Sequence, residues 1–329
     1  MIERRTLVFA LCLCALTAPV TVFAQRPGKI WRVGILSLPS RADAMISNRF
    51  GAFMEAMREL GYVEGKNLSV ESRFADGKAD RLPGLAADLV KLRVDVIVTF
   101  GTPPVNAAWQ ATKTIPIVAA AFGDPVASGF AATLARPGGN ITGLTTMGEV
   151  LYVKRLELLA TVVPNAARVA FLTNPDNVSL SRALSTYRSA AQKLGRELVV
   201  INARQMSDFE HSFSLMVRER VEALMVADDP NFVSHGARIA ELAVRHRLPS
   251  VFGIAGQEAG GLISYGPPSA FRFRRAATFV DRIFKGAKPG HLPIEEPTQI
   301  ELVVNLRTAK ALGITIPQSL LLRADRVIE

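Results

Sequence analysis

Val94-Asp-Val-Ile-Val-Thr-Phe-Gly-Thr-Pro-Pro104 is the stretch that decides the fold class. Its first seven residues form a nearly unbroken apolar, β-branched run, which predicts a strand buried on both faces, as in a parallel sheet. Gly101 ends the run. Pro103 and Pro104 then open a helix, because a fixed φ and a missing N–H are both tolerated in a first helical turn. Strand, glycine turn and helix make the βα unit of an α/β protein.

The same unit recurs on both sides. Upstream, 31–37 and 68–74 read as strands around a helix over 48–60, where Phe50, Phe53, Met54, Met57 and Leu60 keep helical spacing and Gly61 caps the end. A helix over 82–92 has Pro83 in its first turn. Downstream come a helix over 103–112 and strands at 115–121 and 141–145. A second series follows: helix 150–162, strand 168–172, helix 180–194, strand 197–201, helix 209–220, strand 221–227, helix 236–247 and strand 249–252. The tail adds a strand at 262–266, a helix over 271–284 and a strand at 299–305. These last pieces are too few for a core of their own, so they must complete the two earlier units. The chain then crosses between two α/β lobes more than once, with parallel sheets and right-handed crossovers.

Composition narrows the class. The first residues carry Arg4-Arg5, a run of about 17 mostly apolar residues, at the short limit for a membrane span, and Val22-Phe23-Ala24 before Gln25. Charged, apolar and small segments in that order predict a secretory leader over 1–24, cleaved near Ala24-Gln25. Either general or twin-arginine export would suit it. Both cysteines, Cys12 and Cys14, fall in the leader, so the mature chain is expected to have no disulfide and no thiolate metal site. Loss of Glu3, Arg4 and Arg5 takes the net charge from +10 to +9. Lys and Arg are scattered without a long run, which reads as solvated helix faces rather than a nucleic-acid surface.

In open parallel sheets, ligands sit beyond the carboxyl ends of the strands. The candidate binding residues are therefore Ser37, Gly101, Thr102, Phe122, Asp124, Asn174, Asp228 and Tyr265. Thr102 and the helix behind it suit an anionic group, with Thr102 as N-cap or direct donor. Asp124 and Asp228 could meet a cationic group, and Phe122 could stack on an apolar part. Each aspartate equally well caps a turn. No nucleophile elbow, phosphate loop or dinucleotide fingerprint is present. His211, His235, His246 and His291 lack paired ligand spacing. The expectation is a binding protein rather than an enzyme, with no metal and no cofactor.

Beyond these local readings, the chain resembles the substrate-binding proteins of ABC transporters of the tryptophan type, a branch of the type 1 periplasmic binding fold. The residues that carry the resemblance include Glu59-Leu-Gly-Tyr-Val-Glu-Gly-Lys-Asn67, Arg81-Leu-Pro-Gly-Leu-Ala-Ala-Asp-Leu-Val90 and Gly123-Asp-Pro-Val126. Further ones are Arg136-Pro-Gly-Gly-Asn-Ile-Thr-Gly143, Lys154-Arg-Leu-Glu-Leu-Leu159, Thr173-Asn-Pro175, Gly261-Leu-Ile-Ser-Tyr-Gly266 and Val280-Asp-Arg-Ile-Phe-Lys-Gly286. The last are Leu302-Val-Val-Asn305 and the tail from Ala309 to Asp325. The resemblance implies two Rossmann-like lobes joined by three crossings, near 145–150, 261–265 and 296–304. The lobes would comprise 25–147 with 264–297, and 148–263 with 298–329. It also implies a monomeric periplasmic protein that captures a small solute, an amino acid or related carboxylate, and hands it to a membrane permease. A sensing module that reports the same ligand to a receptor kinase is the first alternative, and a periplasmic hydrolase or isomerase on the same α/β scaffold is the second, disfavoured by the lack of a catalytic constellation.

Overall fold

The computed structural model describes residues 29–42, 49–253 and 260–329; the expected leader lies outside the described residues. The first lobe contains β1 (Trp31–Ser37), α1 (Arg49–Glu59), β2 (Leu68–Phe74), α2 (Leu82–Lys91), β3 (Val96–Thr99), α3 (Thr102–Ala111), β4 (Ile117–Phe122) and β5 (Ile141–Thr145). Its five strands run parallel in the order β2-β1-β3-β4-β5. The two-residue period of the strands divides the core. Val33, Ile35, Val96, Val98 and Val118 turn to one face, where Phe53 and Met57 of α1 pack. Ile97, Ile117 and Ala119 turn to the other, under Leu82 and Leu89 of α2 and Val105 of α3.

The second lobe contains α4 (Gly148–Val162), β6 (Arg168–Thr173), α5 (Val178–Lys193), β7 (Glu197–Asn202), α6 (Phe209–Arg218), β8 (Ala223–Val226), α7 (Pro230–Ser234), α8 (Gly236–Arg245), β9 (Ser250–Phe252) and β10 (Ile263–Gly266). Then α9 (Ser269–Phe284) returns to the first lobe, and Phe273, Ala276, Ala277, Val280 and Phe284 join the α1 face. β11 (Glu301–Asn305), α10 (Leu306–Leu312), α11 (Gln318–Leu321) and β12 (Arg326–Ile328) complete the second lobe. Its seven strands lie in the order β12-β11-β10-β9-β8-β6-β7. Counted from β6, the five strands β7-β6-β8-β9-β10 repeat the 2-1-3-4-5 winding of the first sheet. β11 pairs antiparallel with β10, so the expectation of wholly parallel sheets is corrected at this edge. The reason is the route of the chain: β11 enters from the first lobe rather than by a helical crossover from β10.

Three segments cross between lobes: 146–147 after β5, 267–268 after β10, and 297–300 before β11. Ile263–Gly266 pair with Glu301–Val304 of β11, and Ile263 and Ser264 pair with Val251 and Phe252 of β9, all in the second sheet. Ser264–Gly266 thus belong to the second lobe. At the first crossing Met147 adopts a left-handed φ of 49°, and its N–H donates to Thr145 Oγ1 at 3.2 Å. At the third, Leu144 and Glu295 form a parallel bridge, and Glu295 takes a two-pronged ion pair from Arg275 of α9. That pair ties the returning chain to the first sheet before it leaves again.

Candidate functional site

The lobes close on each other over the carboxyl ends of their strands. Thr102 Oγ1 and Ser179 Oγ share a hydrogen bond of 3.1 Å across the cleft. Asn231 Nδ2 donates to the Gly77 carbonyl at 3.3 Å, and Arg49 donates to Ser234 Oγ at 3.2 Å. Two glycines make this closeness possible. Gly101 has a φ of 88° and faces the Pro230 ring, and a Cβ there would lie within 3.0 Å of Pro230 Cδ. A Cβ on Gly123 would lie within 3.0 Å of both Cβ and Oγ of Ser179.

Between the lobes lies a cavity of about 380 Å³. The first lobe supplies Phe100, Gly101, Thr102, Asp124 and Leu134 to its wall. The second supplies Tyr152, Ser179, Leu180, Arg182, Tyr187 and Asp228. Thr145–Gly148 and Glu296 come from the crossings. At roughly 30 Å³ of liquid volume per water, this space matches about a dozen waters, or one solute of similar heavy-atom number. An apolar wall with a few polar groups is the usual make-up of a small-molecule site.

Gly101, Thr102, Asp124 and Asp228 are thus four of the eight sequence candidates, and they meet at this cavity. The other four do not line it. Phe122 is fully buried against Phe130, on the face covered by α2 and α3. Ser37 is buried with its hydroxyl toward the Pro39 carbonyl at 3.4 Å. Asn174 donates to Asp229 at 3.3 Å. The carbonyl of Tyr265 accepts from Arg155 Nε at 2.8 Å, and its ring packs on the second core.

Thr102 is the first residue of α3, and the N-cap position falls to Gly101. The Thr102 hydroxyl instead accepts the Gly123 N–H at 3.0 Å, which ties α3 to the end of β4. Pro103 and Pro104 carry no N–H, and the Val105 N–H donates to the Gly101 carbonyl at 3.2 Å. The helix therefore offers a ligand its positive dipole end and the Thr102 N–H, fewer donors than an ordinary helix start. Asp124 Oδ1 accepts the N–H groups of Val126 and Ala127, at 3.2 and 3.0 Å, and so caps its own turn at the rim of the cavity.

The aspartate pair after β8 splits into two roles. Asp229 is buried, caps α7 through the Asn231 N–H at 3.0 Å, and accepts from Asn174 and Asn177. Burial pushes its carboxyl upward, against these three donors. Asp228 forms an ion pair with Arg155 at 2.9 Å, both side chains being almost wholly buried. Its N–H donates to the Tyr152 hydroxyl, and the Arg155 guanidinium lies 4.8 Å from the Tyr152 ring centre. Burial, with the Asp228 charge, holds the Tyr152 phenol well above its ordinary range. Burial is the largest influence on the Arg155 guanidinium and lowers it, but Asp228 together with Tyr152 and Tyr187 outweighs it and the net direction is up.

Sequence reasoning did not single out Tyr152, Arg155, Ser179 or Tyr187. They come from α4 and α5 rather than from strand ends. Arg155 did leave a signal: it stands in the stripe Tyr152, Arg155, Leu159 at helical spacing, where a charge is costly unless paired.

Two doubly wound lobes that close over a small cavity define a solute-binding protein of the type 1 periplasmic class. The profile of the family described as ABC transporter substrate binding protein matches residues 33–328, and the chain belongs to that family. A tyrosine-binding protein of Clostridioides difficile (strain R20291) is 27% identical over 261 residues, spanning 79% of this chain and 75% of the relative. A conserved domain protein from Vibrio cholerae superposes with a TM-score of 0.84 at 27% identity, over 91% of this chain and 100% of the other. An ABC domain from Streptococcus pneumonia in complex with L-Trp shares the fold, with a TM-score of 0.82 at 23% identity, over 91% of this chain and 99% of that one.

Proposed function

We propose that this protein captures a small solute bearing a carboxylate in the interlobe cavity and delivers it, in the periplasm, to the permease of an ABC importer. The observation that carries this reading is a cavity walled by both lobes, so that ligand contacts reward closure. Phe100, Leu134, Tyr152, Leu180 and Tyr187 suit an apolar or aromatic body. The start of α3 with Thr102, and Arg182 at the rim, suit the carboxylate. Asp228 is already matched by Arg155, so an ammonium group meets Asp124 or Glu296 more readily. The names of the tyrosine-binding relative and of the L-Trp complex favour aromatic amino acids. Among the described residues no helix is long and apolar enough to cross a membrane.

A thermal-shift screen of refolded mature protein tests the reading. Amino acids, aromatic carboxylates and other small acids form the panel. A solute at a hundred times its dissociation constant stabilises by about 2.7 kcal/mol. The expected outcome is a clear shift with a carboxylate solute. A shift only with solutes that lack a carboxylate contradicts the assignment of ligand class.

A further inference from the structure

Arg272 lies in α9 just beyond the crossing at 267–268, on the helix that packs against the first sheet. Its side chain is 0% exposed, and Nε and both terminal nitrogens lack a hydrogen-bond partner among the described residues. The groups that act on it electrostatically are Asp228, Arg155 and Tyr152, all from the second lobe. Asp228 is already paired with Arg155 at 2.9 Å. Asp228 thus acts on two buried guanidinium groups, but of the two only Arg155 is within ion-pair distance of it. Burial pushes the Arg272 guanidinium down to about 9, so it keeps its charge at neutral pH.

A buried charge without bonding partners opposes whatever conformation buries it. Arg272 stands four residues beyond the crossing, within electrostatic reach of three second-lobe groups, and at such a junction separating the lobes would let water reach it. Neither Arg272 nor Arg155 belongs to the cavity wall, so Arg272 acts on closure and not by touching solute.

We propose that Arg272 is an opening charge, which biases the lobes apart and thereby sets how tightly the protein holds its solute. Closure occurs only as far as a ligand favours the closed form over the open one. A residue that penalises closure weakens binding of every solute alike and speeds release. This inference goes beyond the proposed ligand class and does not depend on which solute is bound.

The test uses the mature chain, which has no cysteine after Cys14, with spin labels on Lys113→Cys and Lys193→Cys, exposed positions on opposite lobes. Distances are read by double electron–electron resonance on ligand-stripped protein carrying Arg272, Arg272→Met or Arg272→Lys. The apolar, similarly sized Met variant is expected to gain at least severalfold in the short-distance population, while the Lys variant stays with the parent. For any solute that binds the parent, Arg272→Met is expected to bind about tenfold tighter. Unchanged distances in Arg272→Met overturn the proposal, as does a Met variant that fails to fold while the Lys variant folds. A loss of affinity confined to carboxylate solutes also overturns it, because Arg272 would then be the counter-ion of the ligand. Failure of every solute to bind counts against the proposed function alone, since the label distances are read without ligand.

Discussion

Gly123→Ala separates closure from folding. The backbone of Gly123 does not require glycine, because its φ is not among the positive values recorded for the chain. The added methyl group meets chiefly the other lobe: Ser179 Cβ and Oγ both lie within 3.0 Å of it, while Thr102 Oγ1 of its own lobe stands farther off at 3.2 Å. The Ser179 hydroxyl can rotate away, but its Cβ cannot. Carbon atoms settle at roughly 3.5–4.0 Å, so the start of α5 must withdraw by about 1 Å. Overpacking of this kind costs about 1–3 kcal/mol, and here that falls on the closed form alone. The expected result is a dissociation constant raised roughly 5- to 150-fold, with the melting temperature of the ligand-free protein nearly unchanged. Calorimetric titration with the solute found by screening reads the first, and a thermal scan the second. Adding Ser179→Gly removes the obstructing Cβ and should restore most of the affinity, whereas Ser179→Ala should not. Unchanged affinity in Gly123→Ala refutes the closed geometry, and so does an equal drop in ligand-free stability.

Thr102→Val removes the acceptor of the buried Gly123 N–H and the bond to Ser179, and should cost about 1–3 kcal/mol, seen in urea unfolding and as weaker binding. Asp228→Asn leaves Arg155 buried without its counter-ion, and should destabilise the second lobe by about 3–5 kcal/mol in the same assay. Tyr62 donates to Asp281 at 3.0 Å, and burial together with that carboxylate pushes its phenol up to about 12. The unfolded phenol ionises first, near 10. The stabilising contribution is therefore full below pH 10 and lost as pH rises toward about 12. Tyr62→Phe should flatten the fall in stability over that window; an unaltered slope would contradict the role given to the Tyr62–Asp281 bond.

Much of the fold was legible because its strands are short β-branched runs ended by glycine or proline, as in Val94–Pro104. Alternation within 96–98 even separates the two faces of the first sheet, with Val96 and Val98 under α1 and Ile97 under α2 and α3. The antiparallel edge at β11 was not legible. Glu301–Asn305 reads as a strand in either direction, and only the path through the third crossing sets its sense. Half of the candidate site was legible by the rule that strand ends face the cleft. The rule fails for Phe122, whose side chain turns to the sheet face, and for Ser37, Asn174 and Tyr265, whose polar atoms serve local structure. It cannot reach Tyr152, Ser179 and Tyr187, because helix residues enter the cavity only once the lobes have met. Arg272 shares a helical stripe with Ala276 and Phe279, so the sequence showed a charge on a buried face, but its nearness to Asp228 is purely tertiary.

The central claim is that closure over one carboxylate solute is what this molecule does. Calorimetric titration of ligand-stripped mature protein with aromatic amino acids and their carboxamides tests it most directly. The account predicts one saturable site per chain for a carboxylate solute, with a negative heat-capacity change from buried apolar surface and much weaker binding of the matching carboxamide. Equal binding of acid and amide, or no saturable heat from any member of the series, would contradict it.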